Sequence, residues 1–124
     1  MGLKIHGVVN GKTPLSEYIW LTTDQAINLK GYAIVDRTFA ADGKISNEFR
    51  HIFVFPQLPI EKQDLVRLYT GVGKYSITKR DGQAGVIHNF FWASDTCVWN
   101  NNGGDVATLI RYEVINAANV PSVE

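Results

Sequence analysis

The segment TGVGKY, residues 70 to 75, comes nearest in this chain to a phosphate-binding loop. A Walker A loop requires a Gly five residues before its second Gly, and a Ser or Thr after its Lys. Leu68 and Tyr75 occupy those two positions here. The segment also lacks the third Gly and the following helix of a dinucleotide site. We therefore interpret Gly71 and Gly73 as loop residues that need a positive φ, and we predict no cofactor.

Cys97 could act as a nucleophile with His51 or His88 as its base. No signature of a cysteine enzyme surrounds it. The neighbouring Thr96 and Val98 are typical of a strand. A small apolar side chain in the core is therefore the favoured interpretation of this cysteine. We predict no catalytic residue and no enzymatic activity.

Residues that could bind a metal ion are scattered along the chain. His6, His51 and His88 show no paired spacing of zinc ligands. Loop carboxylates and amides could surround calcium, but the segment WNNNGGD does not follow the EF-hand register. The residues concerned are Asp81, Asp95, Asn100, Asn102 and Asp105. Turn formation by Asn and Gly explains this segment more simply, so we predict no metal site.

The basic stretch around one tyrosine is the leading candidate for a binding site. It contains Lys74, Tyr75, Lys79 and Arg80. Such a stretch could contact a phosphate backbone while the ring stacks on a base. The favoured interpretation, because the chain has no net charge, is a solvated hairpin whose charges prevent a strand edge from pairing. Three cations allow a salt slope of at most about −2.7 on duplex DNA, so we do not expect nucleic acid to be the partner.

Aromatic side chains support a second binding hypothesis. Trp20, Tyr32, Trp92 and Trp99 could form a face that stacks on sugar rings. Large aromatic residues in a small all-β domain lie more often in the core. The core is therefore the favoured place for these rings, and carbohydrate binding stays an alternative.

Short strand-like segments, separated by Gly, Asn, Asp and Pro, must position these residues. No window has the 3.6-residue apolar period of an amphipathic helix. Eight short strands at this spacing predict an antiparallel β-sandwich or barrel. The predicted strands are LKIHGVV (3 to 9), EYIWLT (17 to 22), LKGYAIV (29 to 35), FRHIFVF (49 to 55), LVRLYT (65 to 70), VIHNFFW (86 to 92), TCVW (96 to 99) and VATLIRYEVI (106 to 115).

The alternation of residues within these segments assigns faces. Val66 and Leu68 alternate with Arg67 and Tyr69, so we expect the first two to point into the core and the other two outward. The segment 49 to 55 is apolar on both faces toward its end. That pattern is typical of a central strand.

The chain has 124 residues, with 12 Lys and Arg against 12 Asp and Glu. This length suits one domain with a single core. The lack of net charge removes the long-range field that non-specific binding to nucleic acid or an anionic membrane requires. No apolar run reaches about 18 residues, so we predict no membrane span. The N-terminus has no signal peptide, and the single Cys permits a reducing compartment, so these residues favour the cytoplasm without fixing the compartment.

The order of three longer segments resembles the lamin tail domain, an immunoglobulin-like module. The first segment contains two strands and a Gly followed by an aromatic residue. The second contains Phe-Pro and then a Gly-x-Gly loop. The third contains Trp-Asn and then a Gly-Asp turn. They are EYIWLTTDQAINLKGYAIVD (17 to 36), HIFVFPQLPIEKQDLVRLYTGVG (51 to 73) and FFWASDTCVWNNNGGDVATLI (90 to 110). Together they place the resemblance within residues 15–115.

The resemblance implies a single domain over residues 1–124, folded as an immunoglobulin-like antiparallel β-sandwich of about 8–9 strands. Residues 116–124 would form a loose C-terminal tail. The family has no catalytic residues to transfer. It implies a non-enzymatic structural or protein-interaction module that presents loops and a strand edge to a macromolecular partner. A module that binds nucleic acid or carbohydrate is the alternative.

The chain departs from the family's pattern near its last strand. Members usually have a Gly after the strand that contains Leu109, whereas this chain continues as Arg111-Tyr112-Glu113. We therefore predict one long final strand over residues 106–115. Its outer edge, marked by Arg111 and Glu113, would be open to strand addition by a protein partner or a second copy.

Overall fold

The structure, a computed structural model, describes residues 2–38, 51–99 and 105–123. These residues form ten strands and one 3-10 turn, Pro14–Ser16. The described ranges contain no α-helix, which confirms the all-β prediction. The strands are β1 (Leu3–Val9), β2 (Tyr18–Thr23), β3 (Ile27–Asn28), β4 (Tyr32–Thr38), β5 (His51–Val54), β6 (Pro59–Ile60), β7 (Leu65–Tyr69), β8 (Ser76–Lys79), β9 (Val86–Phe91) and β10 (Asp105–Arg111). In this part of the chain no helix is long and apolar enough to cross a membrane.

The strands form three open sheets with the orders β1-β2-β7-β9-β8, β10-β4-β5 and β3-β6. The barrel alternative is therefore wrong for the part of the chain that the structure describes. Purely antiparallel pairing is also wrong, because β7 and β9 pair in parallel. After β7 the chain passes to the sheet edge and forms β8, then turns back to place β9 between them. This return gives β9 the same direction as β7.

The core contains residues from both larger sheets. Val66 and Leu68 are 0% and 1% exposed, which confirms the inward face predicted for β7. Burial of large apolar side chains at such positions is the main stabilising contribution to a domain of this size. The buried cluster comprises Leu3, Ile19, Leu21, Leu29, Tyr32, Ile34, Phe55, Ile60, Val66, Leu68, Phe90, Val98 and Trp99.

The final strand is shorter than the predicted strand over residues 106–115. It ends at Arg111 because its partner β4 begins directly after a turn, in which Gly31 has a φ of +93°. The Tyr112 N–H still donates to the Gly31 carbonyl, at 2.8 Å. Beyond this point no described strand of that sheet lies beside the chain, so Glu113, which was predicted to mark the edge, lies outside the observed strand.

The predicted strand over residues 96–99 is wrong. The Val98 and Trp99 N–H groups donate to Oε1 of Glu17, at 2.9 and 3.3 Å, rather than to a neighbouring strand. The Thr70 hydroxyl donates to the same oxygen, at 2.7 Å. A buried carboxylate thus provides the hydrogen bonds that a sheet would otherwise supply.

Strand β5 is not covered on both faces, so that expectation is wrong. Ile52 and Val54 are 50% and 48% exposed because they lie on the outer face of the three-stranded sheet. Phe53, between them, packs against the core.

Gly71 and Gly73 do not have the positive φ that we expected. Their role is close packing. A Cβ at Gly71 would lie 2.7 Å from Leu15 Cδ2, and one at Gly73 would lie 2.5 Å from a ring carbon of Phe91. The absence of a side chain lets the loop after β7 approach these neighbours.

Candidate binding surface on the five-stranded sheet

The register of three adjacent strands places six side chains in two rows on the outer face of the five-stranded sheet. In one row β2, β7 and β9 contribute Tyr18, Tyr69 and Phe91. In the other row the same strands contribute Trp20, Arg67 and Asn89. We call Tyr18, Trp20, Arg67, Tyr69 and Phe91 the aromatic platform. All five are half-buried.

The rings of the aromatic platform contact one another. Tyr18 lies edge-on to Trp20 with a centroid distance of 5.8 Å, and tilted against Tyr69 at 5.3 Å. Tyr69 and Phe91 stack at 5.1 Å with an interplanar angle of 10°. Such contacts hold each ring in one orientation and add about 0.5–1.5 kcal/mol per pair beyond the buried area. The surface is therefore preformed.

The guanidinium of Arg67 lies among these rings. Its Cζ is 4.8 Å from the centroid of Trp20, 4.9 Å from that of Tyr69 and 5.6 Å from that of Tyr18. These distances are within the range of cation–π attraction. Nε of Arg67 donates to Oδ1 of Asn89 at 3.0 Å. The three rings and Asn89 thus hold the Arg67 side chain in one orientation.

Asn89 is itself held by the edge strand β8. Its Nδ2 donates to the Thr78 hydroxyl at 2.9 Å, and makes longer bonds of 3.3 and 3.4 Å to the hydroxyl and carbonyl of Ser76. Because a carbonyl oxygen can only accept, the atom of Asn89 that faces Ser76 is the amide nitrogen. The amide oxygen therefore faces Arg67.

Arg67 makes no other hydrogen bond and no ion pair with the residues that the structure describes. A guanidinium has five N–H donors, and Nε accounts for one of them. The four N–H groups of the terminal amines face no protein acceptor in those ranges. The platform therefore combines apolar area with a positioned positive charge that has unused donors.

The inner face of the same sheet has a different polar network. Nε2 of His88 lies 2.8 Å from Oδ2 of Asp64, and Nδ1 lies 2.7 Å from the hydroxyl of Tyr75. An ionised carboxylate can only accept, so Nε2–H of His88 donates to Asp64, and Nδ1 shares a hydrogen bond with the hydroxyl of Tyr75. Both ring nitrogens are thus bonded within the protein.

Two groups of this network have shifted pKa values. Burial works to raise the pKa of Asp64, but hydrogen bonds from the N–H of Glu61, from His88 and from the N–H of Val86 lower it below its usual value. Burial, and then the negative charge of Asp64, raise the pKa of Tyr75. The phenol of Tyr75 is therefore neutral at physiological pH.

An apolar groove of about 350 Å³ opens beside Tyr75. Its walls include Phe53, Leu58, Phe90 and Phe91. The hydroxyl of Tyr75 is hydrogen-bonded to His88, so it offers the groove no free polar group. The groove therefore lacks the positioned charge of the aromatic platform.

The structure separates the residues of the predicted basic site. Lys74 and Lys79 are exposed, but Lys74 precedes β8 and Lys79 is the last residue of β8, so the strand separates them. Arg80 donates through Nη1 to the carbonyls of Gln63 and Ala84, both at 3.0 Å. These residues and Tyr75 therefore do not form one cationic cluster.

The structure does not bring Cys97 together with either proposed base. Sγ of Cys97 contacts the carbonyl of Gly11 at 3.6 Å. Burial and the nearby carboxylate of Glu17 raise the pKa of the thiol, which disfavours the reactive thiolate. His51 is bonded instead to Asp36 at 3.0 Å, and His88 to the network described above.

The described residues contain no group of three or more His, Cys, Asp or Glu side chains that could hold a metal ion. Asp81 and Asp95 are exposed in separate loops. Asn100 and Asn102, the amides considered for calcium, lie outside the described residues.

The predicted aromatic face is divided between surface and core. Trp20 belongs to the aromatic platform, whereas Tyr32 and Trp99 are buried. Trp92 packs edge-on against Trp99 at 5.9 Å. Sequence reasoning missed Tyr18 and Phe91, although each occupies an outward position in a correctly located strand.

The predicted partner edge is only partly assembled. Arg111 is the last residue of β10, and its Cζ lies 5.2 Å from the ring centroid of Tyr32. Glu113 is exposed beyond the strand. The two residues therefore do not mark one continuous edge.

Comparison with protein-family models gave no match for this chain, and neither the curated proteins nor the solved structures gave a similar one. The geometry of the aromatic platform is therefore the basis for the function proposed below.

Proposed function

We propose that this chain is a non-enzymatic protein-interaction module that binds its partner through the aromatic platform. The observation that carries the proposal is the position of Arg67, which lies over three rings while its terminal amines have no partner among the described residues. Trp, Tyr and Arg are the residue types that most often dominate the energy of protein interfaces.

The surroundings of the platform support this proposal. Thr22, Ser76 and Thr78 lie on the same outer face, together with the apolar Leu65 and Ile87, so polar residues border part of the aromatic centre. Protein interfaces have this arrangement, and a standard one covers about 800 Å² on each partner. The platform lies on strands, so its side chains lose little conformational freedom when a partner binds.

The fold is consistent with the same function. Two sheets that share one core support an immunoglobulin-like β-sandwich, and we propose the lamin tail domain as its family on the strength of the sequence resemblance. Such a domain serves as a scaffold that presents strands and loops to other macromolecules. Fold analogy alone does not identify the partner.

Strand β10 offers a second contact for a partner strand or a second copy. The Tyr112 N–H donates toward β4, and alternation along an antiparallel strand then turns the Ile110 N–H toward β4 and the Arg111 N–H away from it. We expect Ile110→Pro to destabilise the fold by about 1–3 kcal/mol, because it removes a ladder hydrogen bond to β4, and Arg111→Pro to cost much less. Denaturation of both variants, with Ile110→Ala and Arg111→Ala as controls, measures this difference.

Light scattering of the same variants tests the contact itself. Arg111→Pro should abolish any self-association of the folded chain, because it removes an outward donor. A wild-type chain that is monomeric at high concentration, with the Arg111 amide protected from exchange, would exclude the edge as a contact.

Affinity capture followed by quantitative binding tests the platform. A protein captured by the wild-type chain is purified, and its dissociation constant is measured against wild type, Trp20→Ala and Ile77→Ala. Ile77 is exposed on the other face of the sheet, so it is a matched apolar control. We expect Trp20→Ala to weaken binding at least about tenfold and Ile77→Ala to have no effect. Equal binding by all three proteins would contradict the proposed surface.

A further inference from the structure

We infer that Arg67 is the receptor for a carboxylate of the protein partner, supplied by a Glu or Asp side chain that docks on the aromatic platform. This inference rests on the proposed function and specifies the chemistry of the group that is recognised.

The unused donors of Arg67 define that chemistry. With Nε bonded to Asn89, the terminal amines remain for a ligand. A guanidinium presents its N–H groups in a planar fork that matches the two oxygens of a carboxylate. The described residues place no carboxylate of the protein's own on this group.

The platform strengthens such a contact. The rings of Tyr18, Trp20 and Tyr69 lie against the guanidinium of Arg67, which is half-buried. Charge-assisted hydrogen bonds are stronger where the local dielectric is low.

The fork is also held in position before the ligand arrives. Thr78 and Ser76 fix the amide of Asn89, whose oxygen accepts from Nε of Arg67. A long cationic side chain normally loses rotamer freedom when it binds. Here much of that loss has already occurred on folding, which favours binding.

A peptide carboxylate fits this surface better than a nucleic acid or a sugar. A phosphate backbone requires several cations along its path, whereas the platform holds a single one. Sugar stacking requires an open ring face. Arg67 covers one face of Trp20, and Tyr69 and Phe91 cover each other with their planes 10° apart.

Matched peptides test the inference directly. The probes are acetyl-Ala-Glu-Phe-amide and acetyl-Ala-Gln-Phe-amide, titrated into the chain labelled at arginine and tryptophan with nitrogen-15. We expect saturable shifts of the Arg67 Nε–H and Trp20 indole signals, with at least about fivefold tighter binding of the Glu peptide. Equal affinities for the two peptides would overturn the inference.

Variants show whether Arg67 is responsible. Arg67→Gln should remove the preference for the Glu peptide, whereas Lys79→Gln, which removes another exposed positive charge, should keep it. Backbone amide spectra verify that each variant is folded. If Arg67→Gln does not fold, the comparison of the two peptides on the wild-type chain still decides the question. A preference that persists in folded Arg67→Gln would overturn the assignment to this residue.

Two further measurements show whether the carboxylate comes from a protein and whether a failure of this inference is also a failure of the proposed function. A glucuronic acid disaccharide that binds more tightly than the Glu peptide would overturn a protein source. A captured partner that depends on Trp20 but not on Arg67 would overturn this inference and leave the proposed function intact. A partner that depends on neither residue would overturn both.

Discussion

Each face of the five-stranded sheet carries aromatic rings around one nitrogen-containing side chain, His88 on the inner face and Arg67 on the outer face. The two side chains differ in how many of their hydrogen bonds are made within the protein. On the inner face His88 has both ring nitrogens bonded, to Asp64 and to Tyr75. On the outer face the guanidinium of Arg67 makes one hydrogen bond to the described residues, through Nε. A polar group with all its bonds made inside the protein stabilises the fold, whereas a positioned group with unused donors is available to a ligand.

This comparison predicts that substitutions on the inner face change stability and that substitutions on the outer face change binding.

Val66→Asp or Leu68→Asp should unfold the domain. Each adds the cost of an unpaired buried carboxylate to the loss of packing, together several kcal/mol against a typical total stability of ~5–15 kcal/mol. Arg67→Asp, on the outer face of the same strand, should cost about 1 kcal/mol through its lost contacts with the rings. Denaturant midpoints of the three variants measure the difference, and equal midpoints would contradict the division into faces.

Asp64→Asn should destabilise the domain by about 2 kcal/mol at neutral pH, because it removes a charged acceptor of three hydrogen bonds. The pKa of Asp64 is lowered in the folded state from the value of 3.8 that the unfolded chain provides. Its ionisation therefore stabilises the fold above that unfolded value, and this contribution is lost as the pH falls through the folded pKa.

The stability of Asp64→Asn should consequently depend less on pH than that of the wild type in this acidic range. Denaturation at a series of pH values below about 5 checks the sign. Parallel pH profiles for the two proteins would show that the Asp64 network does not stabilise the fold.

Tyr75→Phe should lower the stability by about 1 kcal/mol, because it leaves Nδ1 of His88 without its partner. Tyr18→Phe is the matched change on the outer face. The hydroxyl of Tyr18 makes no hydrogen bond with the described residues, so this variant should match the wild type in stability. Thermal unfolding of the pair measures the contrast, and a larger loss for Tyr18→Phe would reverse the roles of the two faces.

Local sequence patterns predicted much of the fold. The alternation at Val66 and Leu68 assigned the inner face of β7 correctly, and turn residues marked the limits of β1 at Leu3 and Val9. These features depend on neighbours in the sequence, where side-chain periodicity alone decides the outcome.

The remaining features depend on contacts between distant residues. The return of the chain around β8 makes β9 a neighbour of β7, and nothing in either segment predicts their parallel pairing. The platform therefore could not be assembled from the sequence, although Tyr69 and Arg67 were assigned outward. Residues 96–99 resemble a strand in composition, yet the distant Glu17 takes their N–H groups. Strand propensity depends strongly on such tertiary context.

Hydroxyl-radical footprinting of the chain with its captured partner tests the central claim most directly. The account predicts that the partner reduces oxidation of Trp20 and Tyr69 several-fold and leaves Tyr75, which is 43% exposed on the other face, unchanged. Protection of Tyr75 with Trp20 and Tyr69 still fully reactive would show that the partner binds at the groove rather than at the aromatic platform, and would contradict the account.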